Sequence, residues 1–206
     1  LKTRLHSSEL RDALLQPLWA MVRKISSGCD ATFVASQWQM EKLEAHDVPN
    51  LVHQPFGVEG NVFSPSRASD RVREQWLGGR PKETTLLVGV GRFAVEKHWH
   101  VVIDAFAELR KKREAVLVLF GDGPERKKIE AQIAGRNDVF LPGFEKDREK
   151  LGAALASADA LVHSCPFETF GLSIAEALQA GLPVVVPDQG GAFEFADPSC
   201  AEVYSA

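Results

Sequence analysis

From Thr84 onward, short apolar runs alternate with segments whose apolar residues recur at helical spacing. The runs are continuously apolar, which is typical of strands that are buried on both faces of a parallel sheet. Helices must cover both faces of such a sheet, so the sequence predicts an α/β fold. The predicted elements are strand 84–90, helix 98–112, strand 116–120, helix 124–134, strand 139–141, helix 147–156, strand 160–163, helix 172–180 and strand 183–186.

The first 60 residues follow a shorter pattern. It predicts a helix that ends near Gly28, a strand at 31–35, a helix capped by Ser36 and a strand at 51–53. We expect residues 1–60 to be the last elements of one incomplete domain, 61–82 to be a hinge or linker with a short helix, and 83–206 to be a second domain, truncated at its C-terminus. The apolar positions of the first helix are Leu10, Leu14, Leu15, Leu18, Val22 and Ile25.

The composition of the chain indicates which kinds of binding partner are unfavourable. The chain has 206 residues, 45% of them hydrophobic, and a net charge of −4, which argues against nucleic acid or an anionic membrane as the main partner. No apolar run approaches the ~20 residues of a membrane span. Cys29, Cys165 and Cys200 are scattered, and the six histidines show no ligand spacing, so we predict no metal site and a cytoplasmic protein.

Two carboxylates, Glu168 and Glu176, mark the most informative segment. Glu168 lies in the loop before a predicted helix, and Glu176 lies on that helix. The amides of Phe170, Gly171 and Leu172 at the helix start form a ready anion site. The segment therefore combines acceptors for hydroxyl groups with a phosphate cradle, which points to a nucleotide-sugar.

A second candidate anion site follows the strand 84–90. The segment 89–94 formally fits G-x-G-x-x-A, but the acidic residue that a dinucleotide site requires is missing, and a P-loop would need another Gly and a Ser or Thr. What remains is Gly91 with the cations Arg92 and Lys97 beside a strand-to-helix turn. Surface charge is the plainer interpretation, and diphosphate contact is the one we favour.

Two further glycines lie where strands are predicted to end, at the edge of the sheet where ligands bind. Gly121, in Gly-Asp-Gly-Pro, forms either a tight turn only or a place where a ligand approaches the backbone. Gly143, in Leu-Pro-Gly-Phe, is equally compatible with a turn and with the wall of a base pocket. Cys165 lies beside the site and is expected to be a small packing residue.

Taken together, these motifs resemble family 4 glycosyltransferases, also known as glycosyltransferase group 1. The resemblance covers about residues 36–196 and is carried by Gly91-Arg92, Glu96-Lys97, Gly121-Asp-Gly-Pro124, Leu141-Pro-Gly143 and the Glu168/Glu176 pair. It implies a GT-B fold with Rossmann-like parallel sheets, retention of anomeric configuration and no metal or other cofactor. Segments 166–178 and 187–191 look most like the α-mannosyltransferase or sugar-lipid branch.

The resemblance also implies roles for individual residues. Arg92 and Lys97 would hold the donor diphosphate and stabilise the departing nucleotide, with amides near Gly171 and Leu172 assisting. Glu168 would bind donor-sugar hydroxyls without acting as the nucleophile, and Glu176 would bind the ribose. Arg92, Lys97 and Glu168 are thus the expected catalytic residues, and Gly91, Gly121, Gly143 and Phe170 complete the donor site.

The expected function is transfer of a sugar from a GDP- or UDP-linked donor to a sugar, lipid-linked or glycan acceptor. His98 stands where the family often has Gly, and Glu59 where it often has Asp. The acceptor-side motifs of the family have no match, so we expect a fragment that binds donor, with peripheral membrane association residing in the missing half. The alternatives are a non-catalytic nucleotide-binding module and a nucleotide-sugar epimerase.

Overall fold

The computed structural model describes the backbone of residues 7–206 and the side chains of residues 15–206. The described chain forms two compact units, one reaching Pro55 and the other running from Phe56 to Ala206. No helix in this described range is long and apolar enough to cross a membrane.

The smaller unit pairs two short parallel strands with two helices. Its elements are α1 (Ser7–Ser27), β1 (Thr32–Val34), α2 (Gln37–Glu44) and β2 (Leu51–His53). The Ser36 hydroxyl caps α2 by accepting a hydrogen bond from the Gln39 amide at 3.2 Å, as predicted. The Leu18 and Ile25 side chains of the apolar stripe on α1 are exposed, while those of Leu10 and Leu14 lie outside the described side chains.

The larger unit is built on one six-stranded parallel sheet, ordered β5-β4-β3-β6-β7-β8. The elements that the sequence predicts from residue 84 onward are found within two residues of their expected bounds. The helices and strands of the larger unit are α3 (Asp70–Leu77), β3 (Thr85–Val90), α4 (Trp99–Arg110), β4 (Ala115–Phe120), α5 (Arg126–Gln132), β5 (Val139–Gly143), α6 (Arg148–Ala156), β6 (Ala160–Val162), α7 (Leu172–Gln179), β7 (Val184–Pro187) and β8 (Ala201–Tyr204).

Helices cover both faces of this sheet. On one face α3, α6 and α7 pack over a core that includes Leu86, Val118 and Val184. On the other face α4 and α5 pack over a core that includes Leu117 and Leu119. Because consecutive residues of β4 point into opposite cores, all six of its residues are buried, which explains its continuous apolar sequence.

The structure differs from the sequence-based predictions in three details. Residues 61–82, expected as a hinge or linker, supply Val62, Phe63 and Leu77 to the core of the larger unit, and the break between units falls at Pro55. Residues 142 and 143, expected as a loop, extend β5 because Gly143 continues its pairing with β4. The sequence analysis did not predict β8, a short edge strand whose exposed residues interrupt any apolar run.

Candidate functional site

Three glycines lie side by side at the carboxyl ends of β3, β4 and β5. The Gly91 amide donates a hydrogen bond to the Phe120 carbonyl at 3.0 Å, and the Gly121 amide donates to the Gly143 carbonyl at 2.9 Å. A Cβ on Gly121 would lie 1.9 Å from the Gly91 carbonyl oxygen, so no larger residue fits there. Close approach of the strand ends is thus a structural reason for Gly121, independent of any ligand.

A cleft of 390 Å³ opens at these strand ends. Arg92 lies at its wall and is exposed, and its guanidinium makes no ion pair within the described residues. A cleft outside the carboxyl ends of parallel strands is the usual ligand position in such folds. Its lining residues are Val90, Gly91, Arg92, Phe120, Gly121, Asp122, Phe144, Glu145 and Leu151.

Lys97 connects this cleft to Glu168. The Lys97 Cε atom would lie 4.0 Å from a Cβ built on Gly91, and its Nζ pairs with Glu168 Oε2 at 2.5 Å. The Glu168 backbone is fixed separately, because its carbonyl accepts a hydrogen bond from the Gly191 amide at 2.7 Å. The structure therefore brings together the cation and the carboxylate that the sequence analysis placed in one site.

Glu168 is held in its ionised form. Burial of its carboxyl group raises its pKa, but the neighbouring His163 ring and the Lys97 ammonium outweigh that effect and lower the pKa to about 2. A carboxylate that stays ionised at neutral pH accepts hydrogen bonds and cannot donate a proton. It is thus suited to hold hydroxyl groups and unsuited to act as a general acid.

His163 and Cys165 complete a buried cluster around Glu168, with potential ligand atoms within 4.8 Å of one another. Burial raises the pKa of the Cys165 thiol, although the charge of Lys97 opposes the shift, so the buried thiol is a poor nucleophile. The Lys97 ammonium already lies on the same carboxylate, and its positive charge disfavours a cation there. The absence of a functional metal remains a prediction.

The predicted anion site lies at the start of α7. Gly171 precedes the helix with a φ of 97°, a conformation that favours glycine, and Leu172 begins it. The Ile174 amide donates to the Gly171 carbonyl at 2.9 Å, and the amides of Leu172 and Ser173 before it have no acceptors within the helix itself. Phe170 is buried, with its ring edge-on to Phe56 and Phe195, and it fixes the entry to the helix.

Glu176 lies one turn further along α7 in a different environment. Its side chain is buried, and its Oε1 lies 2.8 Å from a guanidinium nitrogen of Arg148, in an orientation that does not form a directed hydrogen bond. Burial raises the pKa of Glu176, and the Arg148 guanidinium only partly opposes this. The folded protein therefore solvates the charged form of Glu176 poorly.

The sequence matches a family model across most of the larger unit. Residues 70–199 fit the model described as "Glycosyl transferases group 1". The chain belongs to this family. Glu168 and Glu176 both lie within the matched residues, as do Arg92 and Lys97.

Curated relatives of this group 1 chain include a GDP-mannose-dependent alpha-mannosyltransferase of Mycolicibacterium smegmatis. It is 36% identical over 182 residues, which are 87% of this chain and 45% of the relative. A GDP-mannose-dependent alpha-(1-6)-phosphatidylinositol dimannoside mannosyltransferase of Mycobacterium tuberculosis is 36% identical over 79% of this chain and 42% of its own length. The group 1 chain thus spans less than half the length of these relatives.

Among solved structures, HepE of Anabaena in complex with UDP and glucose superimposes with a TM-score of 0.78 at 20% identity. The match covers 92% of the group 1 chain and 53% of HepE. This likeness confirms the predicted fold class, an α/β fold of the GT-B type.

Two residues that lie beside Glu168 and Glu176 were not predicted as site residues from the sequence of the group 1 chain. His163 follows a predicted strand, and its place at the carboxyl end of a parallel strand was an available signal. Arg148 begins α6, and nothing in the sequence indicates that it contacts Glu176. Ser164, whose hydroxyl donates a hydrogen bond to the Lys97 carbonyl at 2.5 Å, also gives no sequence signal.

Proposed function

We propose that this chain is the donor-binding part of a retaining glycosyltransferase that transfers mannose from GDP-mannose. The observation that carries the proposal is the Lys97–Glu168 ion pair beside a cleft at the carboxyl ends of the strands. The 36% identity to GDP-mannose-dependent enzymes favours guanine and mannose over the UDP-linked alternatives.

In this proposal Arg92 and Lys97 bind the diphosphate and stabilise the charge that develops when the glycosidic bond to phosphate breaks. The amides at Gly171 and Leu172 support the same negative charge. Cationic side chains and helix amides take the place of a metal ion, so we expect binding to persist in EDTA.

Glu168 accepts hydrogen bonds from the donor-sugar hydroxyls, because it is ionised and its side chain is only 16% exposed to water. Glu176 receives the ribose hydroxyls. The nucleobase lies against 139–143 and the cleft that Phe144 borders. Retention then follows the front-face route expected for the family, in which Glu168 forms no covalent bond to the sugar.

The acceptor is expected to be a sugar, lipid-linked or other glycan hydroxyl on the cytoplasmic side. Its recognition lies outside the donor site, and peripheral membrane association belongs to the other half of the enzyme. No nucleic acid partner is expected.

A thermal-shift panel tests the donor assignment. The panel contains GDP, UDP, ADP, GDP-mannose, UDP-glucose and NAD, all with EDTA. A ligand at 100 times its dissociation constant adds ~2.7 kcal/mol of stability. We expect GDP and GDP-mannose to stabilise the protein most, and stabilisation by NAD alone would contradict the proposal.

A further inference from the structure

His163 presents to the donor site a buried nitrogen that lies near Glu168 but makes no directed hydrogen bond. Its side chain is 4% exposed, and Nε2 forms no directed hydrogen bond within the described residues. The nearest carboxylate atom, Glu168 Oε2, lies 3.4 Å away and is already paired with Lys97. A buried ring nitrogen near a carboxylate but without a directed hydrogen bond is costly, so its retention here needs a reason.

The His163 ring is held in place by its burial and by the hydrogen bonds of its backbone, whereas Lys97 has a flexible side chain. The His163 amide donates a hydrogen bond to the Val185 carbonyl at 2.9 Å, and the His163 carbonyl accepts one from the Tyr204 hydroxyl at 3.3 Å. The Lys97 backbone is held by Ala94 and Ser164, and its ammonium, paired with Glu168, is carried on a flexible four-carbon stem. Lys97 Nζ can therefore leave Glu168, whereas the His163 ring stays.

Donor binding would leave the Glu168 carboxylate without its ammonium partner, and His163 lies close enough to replace that partner. If Lys97 Nζ moves to the diphosphate, as the proposed function requires, Glu168 loses its ammonium partner while its side chain remains only 16% exposed. An unpaired buried carboxylate is strongly unfavourable. His163 Nε2 is the group within reach that can replace the lost partner.

We propose that donor binding exchanges the partner of Glu168. Lys97 Nζ moves from Glu168 to the phosphate oxygens, and an N–H at His163 Nε2 donates a hydrogen bond to Glu168 Oε2. Only hydrogen bonds change, and no proton is transferred. His163 is thus a positioning residue that keeps Glu168 in place for the sugar, and this role rests on the proposed function.

The exchange can be observed without the donor. In Lys97→Met, Glu168 has no ammonium partner, so the ¹⁵N signal of His163 Nε2 should show a hydrogen-bonded N–H in the free protein. In the wild type, the same signal should appear only when GDP-mannose is added. A His163 signal that is identical in free wild type, GDP-mannose-bound wild type and free Lys97→Met overturns the exchange.

Binding variants give an independent readout. We expect His163→Phe to weaken GDP-mannose binding about 10-fold in calorimetry, because Glu168 then lacks a partner in the bound state. His163→Gln supplies an amide N–H and should restore most of the affinity, and the exposed His100→Phe is the matched control. Equal affinity in His163→Phe and wild type overturns the proposal. If GDP-mannose does not bind the wild type, the proposed function fails, and the Lys97→Met spectrum still decides whether His163 takes over Glu168.

Discussion

Glu168 and Glu176 belong to one short segment and are both largely buried, yet the protein shifts their pKa values in opposite directions. The pKa of Glu168 falls to about 2, whereas that of Glu176 rises. Burial raises the pKa of both groups, so burial alone does not distinguish them. The difference lies in the partners.

Glu168 has the Lys97 ammonium at 2.5 Å and the His163 ring at 3.4 Å, both mostly buried. Among the described residues, Glu176 has only one cationic partner, Arg148, whose side chain is 45% exposed and therefore also contacts water. A well-placed buried cation keeps a carboxylate ionised, and a solvated cation does so only in part. The comparison teaches that Glu168 is prepared as a permanent anion, while Glu176 is an under-solvated group for which ribose hydroxyls would be new partners.

Of the two glutamates, Glu168 is expected to have the larger effect on the free energy of unfolding when it is substituted. Its pKa is depressed from the ordinary 4.5 to about 2, so the folded state binds fewer protons there than the unfolded state. The stabilisation is present above pH 4.5 and is lost as pH falls towards 2. We expect Glu168→Gln to lower the free energy of unfolding by about 2–3 kcal/mol at pH 7. Urea unfolding at pH 7 and pH 3 measures it, and a difference between variant and wild type that does not shrink at pH 3 would contradict the account.

Substitution of Glu176 should change the free energy of unfolding in the opposite direction and by a smaller amount. Its folded pKa is raised, so the folded state holds a proton more tightly, and stability falls as pH rises through that pKa. We expect Glu176→Gln to raise the free energy of unfolding at pH 7, by less than Glu168→Gln lowers it, and to have little effect at pH 4. The same urea titrations provide the comparison. Loss of stability at pH 7 would mean that the Arg148 contact outweighs the burial.

The parallel sheet could be predicted from the sequence because a strand buried on both faces must be apolar throughout, as in 115–120. Edge strand β8 has no such constraint, and its exposed Glu202 and Val203 left no recognisable pattern. The linker expectation for 61–82 rested on prolines and glycines, which mark breaks in regular structure. Such residues do not reveal that Phe63 is buried in a core.

For the site, Lys97 and Glu168 could be predicted because each follows a strand end, and the carboxyl ends of parallel strands meet at one edge. Partners such as Arg148 and Ser164 could not be predicted, since their contacts depend on how helices and loops pack across long sequence separations. The opposite pKa shifts of the two glutamates follow from those partners. These pKa shifts could therefore not be predicted from the sequence either.

The most direct test of the central claim is a calorimetric titration of GDP-mannose into wild type and Lys97→Met, with the exposed Lys112→Met as the matched control. If Lys97 leaves Glu168 to bind the diphosphate, Lys97→Met should lose ~1.5–3 kcal/mol of binding free energy. The control should bind like the wild type. Equal affinity in wild type and Lys97→Met would show that the Lys97–Glu168 pair serves the fold alone and is not the diphosphate site.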